Sequence, residues 1–167
     1  MKTLSKMKRM RSFVAALSVM AGLIGLPFDA ESAPRELSIG LGGGYTGYNN
    51  GGYAKLYFHY QPFKYLRLSP EVGYMIKNDN KSGIEFSFDL QSPFRVGRGV
   101  SVYPLVGFTA NQWHITDQGN TTKVGLDLGA GLDLYMTSNL KINFQGKYSF
   151  MKKTSGCFID LGVAYIF

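Results

Sequence analysis

Two histidines, one cysteine and 11 acidic residues are the chain's main stock for nucleophilic, acid–base or metal chemistry, and their spacing suits none of the three well. A lone cysteine excludes an intramolecular disulfide and a multi-cysteine zinc site. His59 and His114 leave little for a histidine-based metal centre. The near-repeat Gly125-Leu126-Asp127-Leu128 and Gly131-Leu132-Asp133-Leu134 sets two carboxylates on one face of a strand, because strand side chains alternate. That pair could hold a cation, but pairing with lysines of a neighbouring strand accounts for it more simply. Gly40-Leu41-Gly42-Gly43-Gly44 is rich enough in glycine to suggest a phosphate loop, yet it lacks the lysine and the strand–turn–helix setting. It reads as glycine in a tightly curved strand.

The remaining chemistry is ionic, and it is patterned. From Arg35 onward the apolar residues recur with period two and no helical stripe is present. Eight segments follow: 35–48, 52–62, 64–77, 81–91, 100–113, 122–136, 139–152 and 155–167. Most exceed the usual five or six residues of soluble strands and match the roughly 9–11 that a tilted strand needs to cross a hydrocarbon layer. One face of each segment is apolar, as in Ala54, Leu56, Phe58, Tyr60 or Val124, Leu126, Leu128, Ala130. The other face carries Lys55, His59, Arg67, Glu71, Lys77, Glu85, Asp89, Lys123, Asp127, Asp133, Lys141, Lys147 and Asp160. Connections are short and turn-like, such as Asn49-Asn50-Gly51-Gly52 and Thr137-Ser138-Asn139, so neighbouring strands are antiparallel. Residues 92–99 read as a connection, and 114–121 as the longest polar one. Pro70 and Pro104 fall inside strands, where each implies a bulge.

The N-terminus is a different kind of segment. Lys2, Lys6, Lys8, Arg9 and Arg11 precede an apolar stretch from Phe13 to Leu26, then Pro27 and small residues at Ala30, Ser32 and Ala33. This is the pattern of a secretory signal peptide cleaved after Ser32, leaving 33–167 as the barrel domain. Fourteen apolar residues are too few for a membrane-spanning helix. Its removal lowers the net charge from +7 to +4, with 13 basic and 9 acidic residues left. The basic balance therefore gives no support for nucleic-acid binding.

Periodicity does not say which face points outward. A soluble lipocalin-like barrel would turn the apolar face inward, and a membrane barrel would turn it to lipid. Long strands and aromatics near the ends of apolar faces (Tyr45, Tyr60, Tyr74, Phe108, Tyr148, Phe150) favour lipid. So does a charged face that can neutralise itself. Lys55 falls opposite Glu71, Asp133 diagonal to Lys141, Asp127 diagonal to Lys147, and Asp89 diagonal to Arg67. An eight-stranded barrel has room inside only for side chains, so Lys55, Arg67, Glu71, Glu85, Asp89, Asp127, Asp133, Lys141 and Lys147 form a lumen ion-pair network on this reading.

The last strand, from Gly156 to Phe167, ends on Val163, Tyr165 and Phe167 in alternation, which resembles the C-terminal signature of bacterial outer-membrane proteins. The whole segment from residue 35 to 167 resembles the small barrels of the outer membrane protein A or X type. The resemblance implies recognition of that signature by the barrel-assembly machinery. Barrels of this size include lipid A deacylases with a His-x-Ser-Asn pattern. His114 is followed by Ile115-Thr116, so that pattern is absent, and Trp113, Asp117 and Gln118 place His114 at the rim of an outer loop. Cys157 falls near an outer strand end on the lipid side.

The expectation is an all-β, eight-stranded antiparallel up-and-down transmembrane β-barrel, preceded by a cleaved signal peptide and located in the outer membrane. It is expected to be monomeric, to hold no cofactor or metal, and to be no enzyme. Its role is structural or one of surface interaction; a porin-like channel and a lipid A-modifying barrel enzyme are the alternatives. The expected partners are membrane lipid, lipopolysaccharide phosphates at Lys77, Lys81, Lys152 and Lys153, and the assembly machinery.

Overall fold

Alternation of this kind closes into a barrel once the first and last strands meet, and they do. The computed structural model describes residues 36–78, 81–115, 119–152 and 155–167, with backbone alone at 115, 119 and 120. The expected signal peptide (1–32), with Asp117, Gln118 and Lys153, lies outside the described residues. The strands are β1 (Glu36–Thr46), β2 (Gly51–Phe63), β3 (Leu66–Asn78), β4 (Lys81–Gln91), β5 (Phe94–Gly97), β6 (Val100–Ile115), β7 (Gly119–Tyr135), β8 (Leu140–Met151) and β9 (Gly156–Ile166). Sheet order is β4-β3-β2-β1-β9-β8-β7-β6-β5, and β4 also pairs with β6. Eight strands thus form a closed antiparallel up-and-down barrel, and β5 is a short extra strand on one rim.

The apolar faces all point outward. Leu41 is 69% exposed and Phe108 68%, while Arg67 is fully buried. A soluble carrier, whose apolar side chains converge on a cavity, is therefore not what this chain builds. Bulges explain the one charge that leaves the lumen face: the β3–β4 register shifts between Met75 and Asn78, and Lys77 there is exposed.

Three expectations about connections change. Residues 92–99 are not merely a loop, because β5 folds back on β6 through Gly99, which takes φ +75 as glycine readily does. The stretch 114–121 is mostly strand, since the β6–β7 register runs unbroken from Val100–Leu134 to Ile115–Gly119. The β2–β3 turn lies at Lys64–Tyr65 rather than at residue 63, between the expected segments 52–62 and 64–77.

Neither proline makes a bulge. Pro70 pairs in register with Phe88, and the β2 pairs on either side of it, Tyr57–Glu71 and Tyr60–Leu68, keep one register. Pro104 accepts a hydrogen bond from Ser92 N at 3.1 Å, just past the last β4–β6 pair, Gln91–Leu105. A strand residue's N–H and C=O point to the same neighbour, so its missing donor faces the break between β4 and β5, where no ladder bond is lost.

Closure is most exacting at the β1–β9 seam. Gly44 pairs with Asp160, and a Cβ there would overlap the Ile159 carbonyl and the Asp160 Cα, both backbone. Gly44→Val is expected to cost at least the upper end of the about 1–3 kcal/mol typical of overpacking. Refolding into detergent, followed by the gel shift between boiled and unboiled samples, would show the folded band depleted. A full folded band would refute the close approach.

Candidate functional site

The barrel places inward-pointing residues from eight strands in one narrow volume, so the candidate site is the lumen itself. All nine residues expected in an ion-pair network are buried there. They fall into two groups along the axis.

The larger group centres on Lys147 of β8. Its Nζ lies 3.1 Å from Glu85, 3.2 Å from Asp127, 3.3 Å from Glu71 and 3.5 Å from Asp89. It also donates to Ser87 Oγ at 2.9 Å. Glu71 links it to Lys55, whose Nζ is 3.3 Å from Glu71 and 2.9 Å from Asp160. Five carboxylates therefore surround two ammonium groups, all within the barrel wall.

The second group is balanced. Arg67 Nη1 lies 2.5 Å from Asp133, its Nε donates to Gln91 Oε1 at 2.6 Å, and its guanidinium sits 4.5 Å from the centre of the Tyr103 ring. Lys141 pairs with Glu36, lies 3.9 Å from Asp133, and donates to His59 Nδ1 at 2.9 Å. An ammonium has no acceptor lone pair, so His59 Nδ1 accepts. Tyr135 donates to Glu36 at 2.7 Å.

Amide side chains join the two groups. Gln145 Nε2 donates to Glu71 at 3.3 Å and its Oε1 accepts from Tyr103 at 3.1 Å. Asn143 Nδ2 donates to Tyr103 Oη at 2.6 Å and to Asp133 at 2.7 Å. A polar chain of contacts thus crosses the lumen. Buried charge is costly unless it is paired and hydrogen-bonded, and this arrangement supplies most of the partners.

The strand register places two expected pairs as anticipated: Asp133 with Lys141 and Asp127 with Lys147 are diagonal neighbours. Two are corrected. Lys55 stands opposite Gly73 rather than Glu71, and reaches Glu71 as its diagonal neighbour. Asp89 is diagonal to Arg67 as expected, but turns to Lys147, while Arg67 crosses the lumen to Asp133. Glu36, Asp160 and the lumen amides complete the network. Their positions on the charged face were the available signal.

The lumen also holds apolar side chains not among the expected lumen residues, including Trp113, which was expected at an outer rim. Tyr53, Met75, Trp113 and Phe158, packed by Tyr48, form an apolar cluster at the end of the barrel opposite the termini. Ring centroids are 4.9 Å apart for Tyr53–Phe158 and 5.4 Å for Tyr48–Trp113. Each buried member shares the parity of the charged face, which could have revealed it. Glycine makes room for such rings. The Tyr57 ring lies over Gly40 and Gly162, and Tyr103 over Gly131, where a Cβ could not fit. In the glycine-rich run of β1 this accounts for Gly40, while Gly44 answers to the β1–β9 seam.

The two histidines lie apart in the described structure. His59 is buried against Lys141, whereas His114 is exposed on the outer surface of β6. Among the described residues no cluster of three His, Cys, Asp or Glu has metal-site geometry. Val163, Tyr165 and Phe167 all point outward on β9 and just past it, and Cys157 lies half-buried beside the β1–β2 turn.

No protein-family model and no curated protein sequence matches the chain. Solved structures do match in shape. The N-terminal β-barrel domain of Pseudomonas aeruginosa OprF aligns with TM-score 0.68 at 20% identity, covering 80% of this chain and 98% of that one. Neisserial surface protein A aligns with TM-score 0.66 at 13% identity, covering 83% and 100%. Ail, the attachment invasion locus protein of Yersinia pestis, solved in complex with the heparin analogue sucrose octasulfate, aligns with TM-score 0.54 at 20% identity, covering 79% and 97%. With its outward apolar faces and its closed sheet, the chain has the fold of the small eight-stranded outer-membrane β-barrels these structures represent.

Proposed function

We propose that the protein is an integral outer-membrane barrel with a structural or surface-interaction role, its lumen sealed by ion pairs, and that it is neither a channel nor an enzyme. One observation carries this reading: every described acidic residue is buried in the lumen among cations and amides, while Leu, Val, Phe and Tyr cover the outside. Lipid can wet that outside, and among the described residues no cluster of three His, Cys, Asp or Glu has metal-site geometry. The rim with both described chain ends faces the periplasm on this reading, and the aromatic cluster faces out of the cell. Exposed Lys77, Lys81 and Lys152 at that far end suit lipopolysaccharide phosphates. Val163, Tyr165 and Phe167 are the segment the assembly machinery would read. The barrel acts as a monomer and needs no cofactor.

The test is twofold. Membrane fractionation should place the protein in the outer membrane, with an unboiled gel band that shifts on heating. Planar-bilayer recordings should show no reproducible conductance steps. A soluble periplasmic protein would end the membrane reading. Steady unitary conductance that changes selectivity on reversing Glu71 would establish the channel instead.

A further inference from the structure

Among the described residues, charge is sorted by side of the wall: six basic residues are exposed and no acidic one is. Three of the six, Lys64, Arg95 and Arg98, sit on the rim that carries the chain ends, far from the three already assigned to lipopolysaccharide. From these positions we infer a binding site for the headgroup phosphate of an anionic phospholipid at this rim, formed by Lys64 and Arg95 with Arg98 beside them. The inference rests on the membrane-spanning reading above.

The site has shape as well as charge. A cleft of 480 Å³ opens here, lined by Lys64, Tyr65, Pro93, Phe94, Arg95 and Tyr135 among others. Its floor includes Glu36, but that carboxylate is already engaged by Lys141 and Tyr135. Neither Lys64, Arg95 nor Arg98 lies within ion-pair distance of a described carboxylate. Lys64 Nζ and the Arg95 guanidinium instead rest 5.1 Å and 5.9 Å from the ring centres of Tyr65 and Tyr135, so both cations stand at the cleft wall.

The apolar residues choose the occupant. Phe94, Val96 and Tyr65 are all exposed, and the Phe94 and Tyr65 rings stack at 5.6 Å. Phe94 and Arg95 are consecutive on β5 and both line the cleft, and Val96 follows at the register shift between Arg95 and Gly97. Ser92 Oγ, donating to the Tyr65 carbonyl at 2.9 Å, ties β5 to the β2–β3 turn. Cations beside exposed Tyr65, Phe94 and Val96, on an interfacial rim, match a molecule with a phosphate and acyl chains. A free phosphate would have no use for the apolar half. Basic residues near a membrane surface favour anionic lipid over neutral lipid, and arginine matches phosphate oxygens with two parallel donors.

The experiment refolds the full chain into vesicles of phosphatidylcholine with one-third phosphatidylglycerol. Folding is verified by the heat-dependent gel shift, and retained lipid is counted by native mass spectrometry after gentle extraction. Wild type should retain phosphatidylglycerol over phosphatidylcholine. Arg95→Gln should lower that preference about fivefold, and Arg95→Gln with Arg98→Gln further. If the folded Arg95→Gln/Arg98→Gln barrel keeps the wild-type preference, or if wild type has none, the site is refuted while the barrel reading stands. If the chain never folds into vesicles, the spanning reading falls first and takes the site with it.

Discussion

Lys147→Met should be the most damaging single substitution in the lumen. Four carboxylates lie within 3.5 Å of that ammonium, and methionine fills much the same volume without its charge. Removing one partner of a buried ionic cluster leaves uncompensated charge and costs about 3–5 kcal/mol. The barrel should unfold at markedly lower urea, followed through the fluorescence of Trp113, the chain's one tryptophan. The gap from wild type should narrow as acid protonates the stranded carboxylates. A loss that is independent of pH would mean that Lys147 contributes packing rather than charge. Wild-type stability in the variant would show that the cluster does not hold the fold.

Leu128→Arg should rank next, for the opposite reason. Leu128 is 57% exposed on β7, between Val106 of β6 and Tyr148 of β8, which also point outward. A guanidinium near mid-membrane on the lipid face costs about 2–4 kcal/mol. Its neighbour Gly129 faces inward, where a Cβ would overlap the Gly146 carbonyl and the Lys147 backbone. Gly129→Val should therefore fail by crowding in detergent and lipid alike. Leu128→Arg should be well tolerated in a detergent micelle and poorly in a bilayer. Equal stability of Leu128→Arg and wild type in vesicles of phosphatidylcholine would contradict a lipid-facing position.

The faces of the strands were legible because period two leaves a record at every position, and one register serves each segment. Pairs between adjacent strands were legible for the same reason, as Asp127 with Lys147 shows. Contacts across the barrel were not. Arg67 with Asp133 joins β3 to β7, and Lys147 reaches Glu85 and Asp89 on β4. Only closure of the sheet brings these strands face to face, and hairpin counting stops at neighbours. β5 escaped because Phe94–Gly97 is four residues long and exposed throughout, so it has no buried face to alternate against. The lumen tyrosines escaped because tyrosine suits a wet interface and a packed interior equally. Tyr53 and Tyr57 share parity with Lys55, and that parity, rather than residue type, decides their side.

The sorting of charge across the wall also changes what the molecule is to its surroundings. While extended, the chain shows 18 basic and 11 acidic residues together along its length. Winding up hides the described acids in the interior and leaves six cations outside. Folding thus turns a mixed exposed charge into a cationic one, so escorts and surfaces in the envelope meet two different polyelectrolytes before and after the seam shuts.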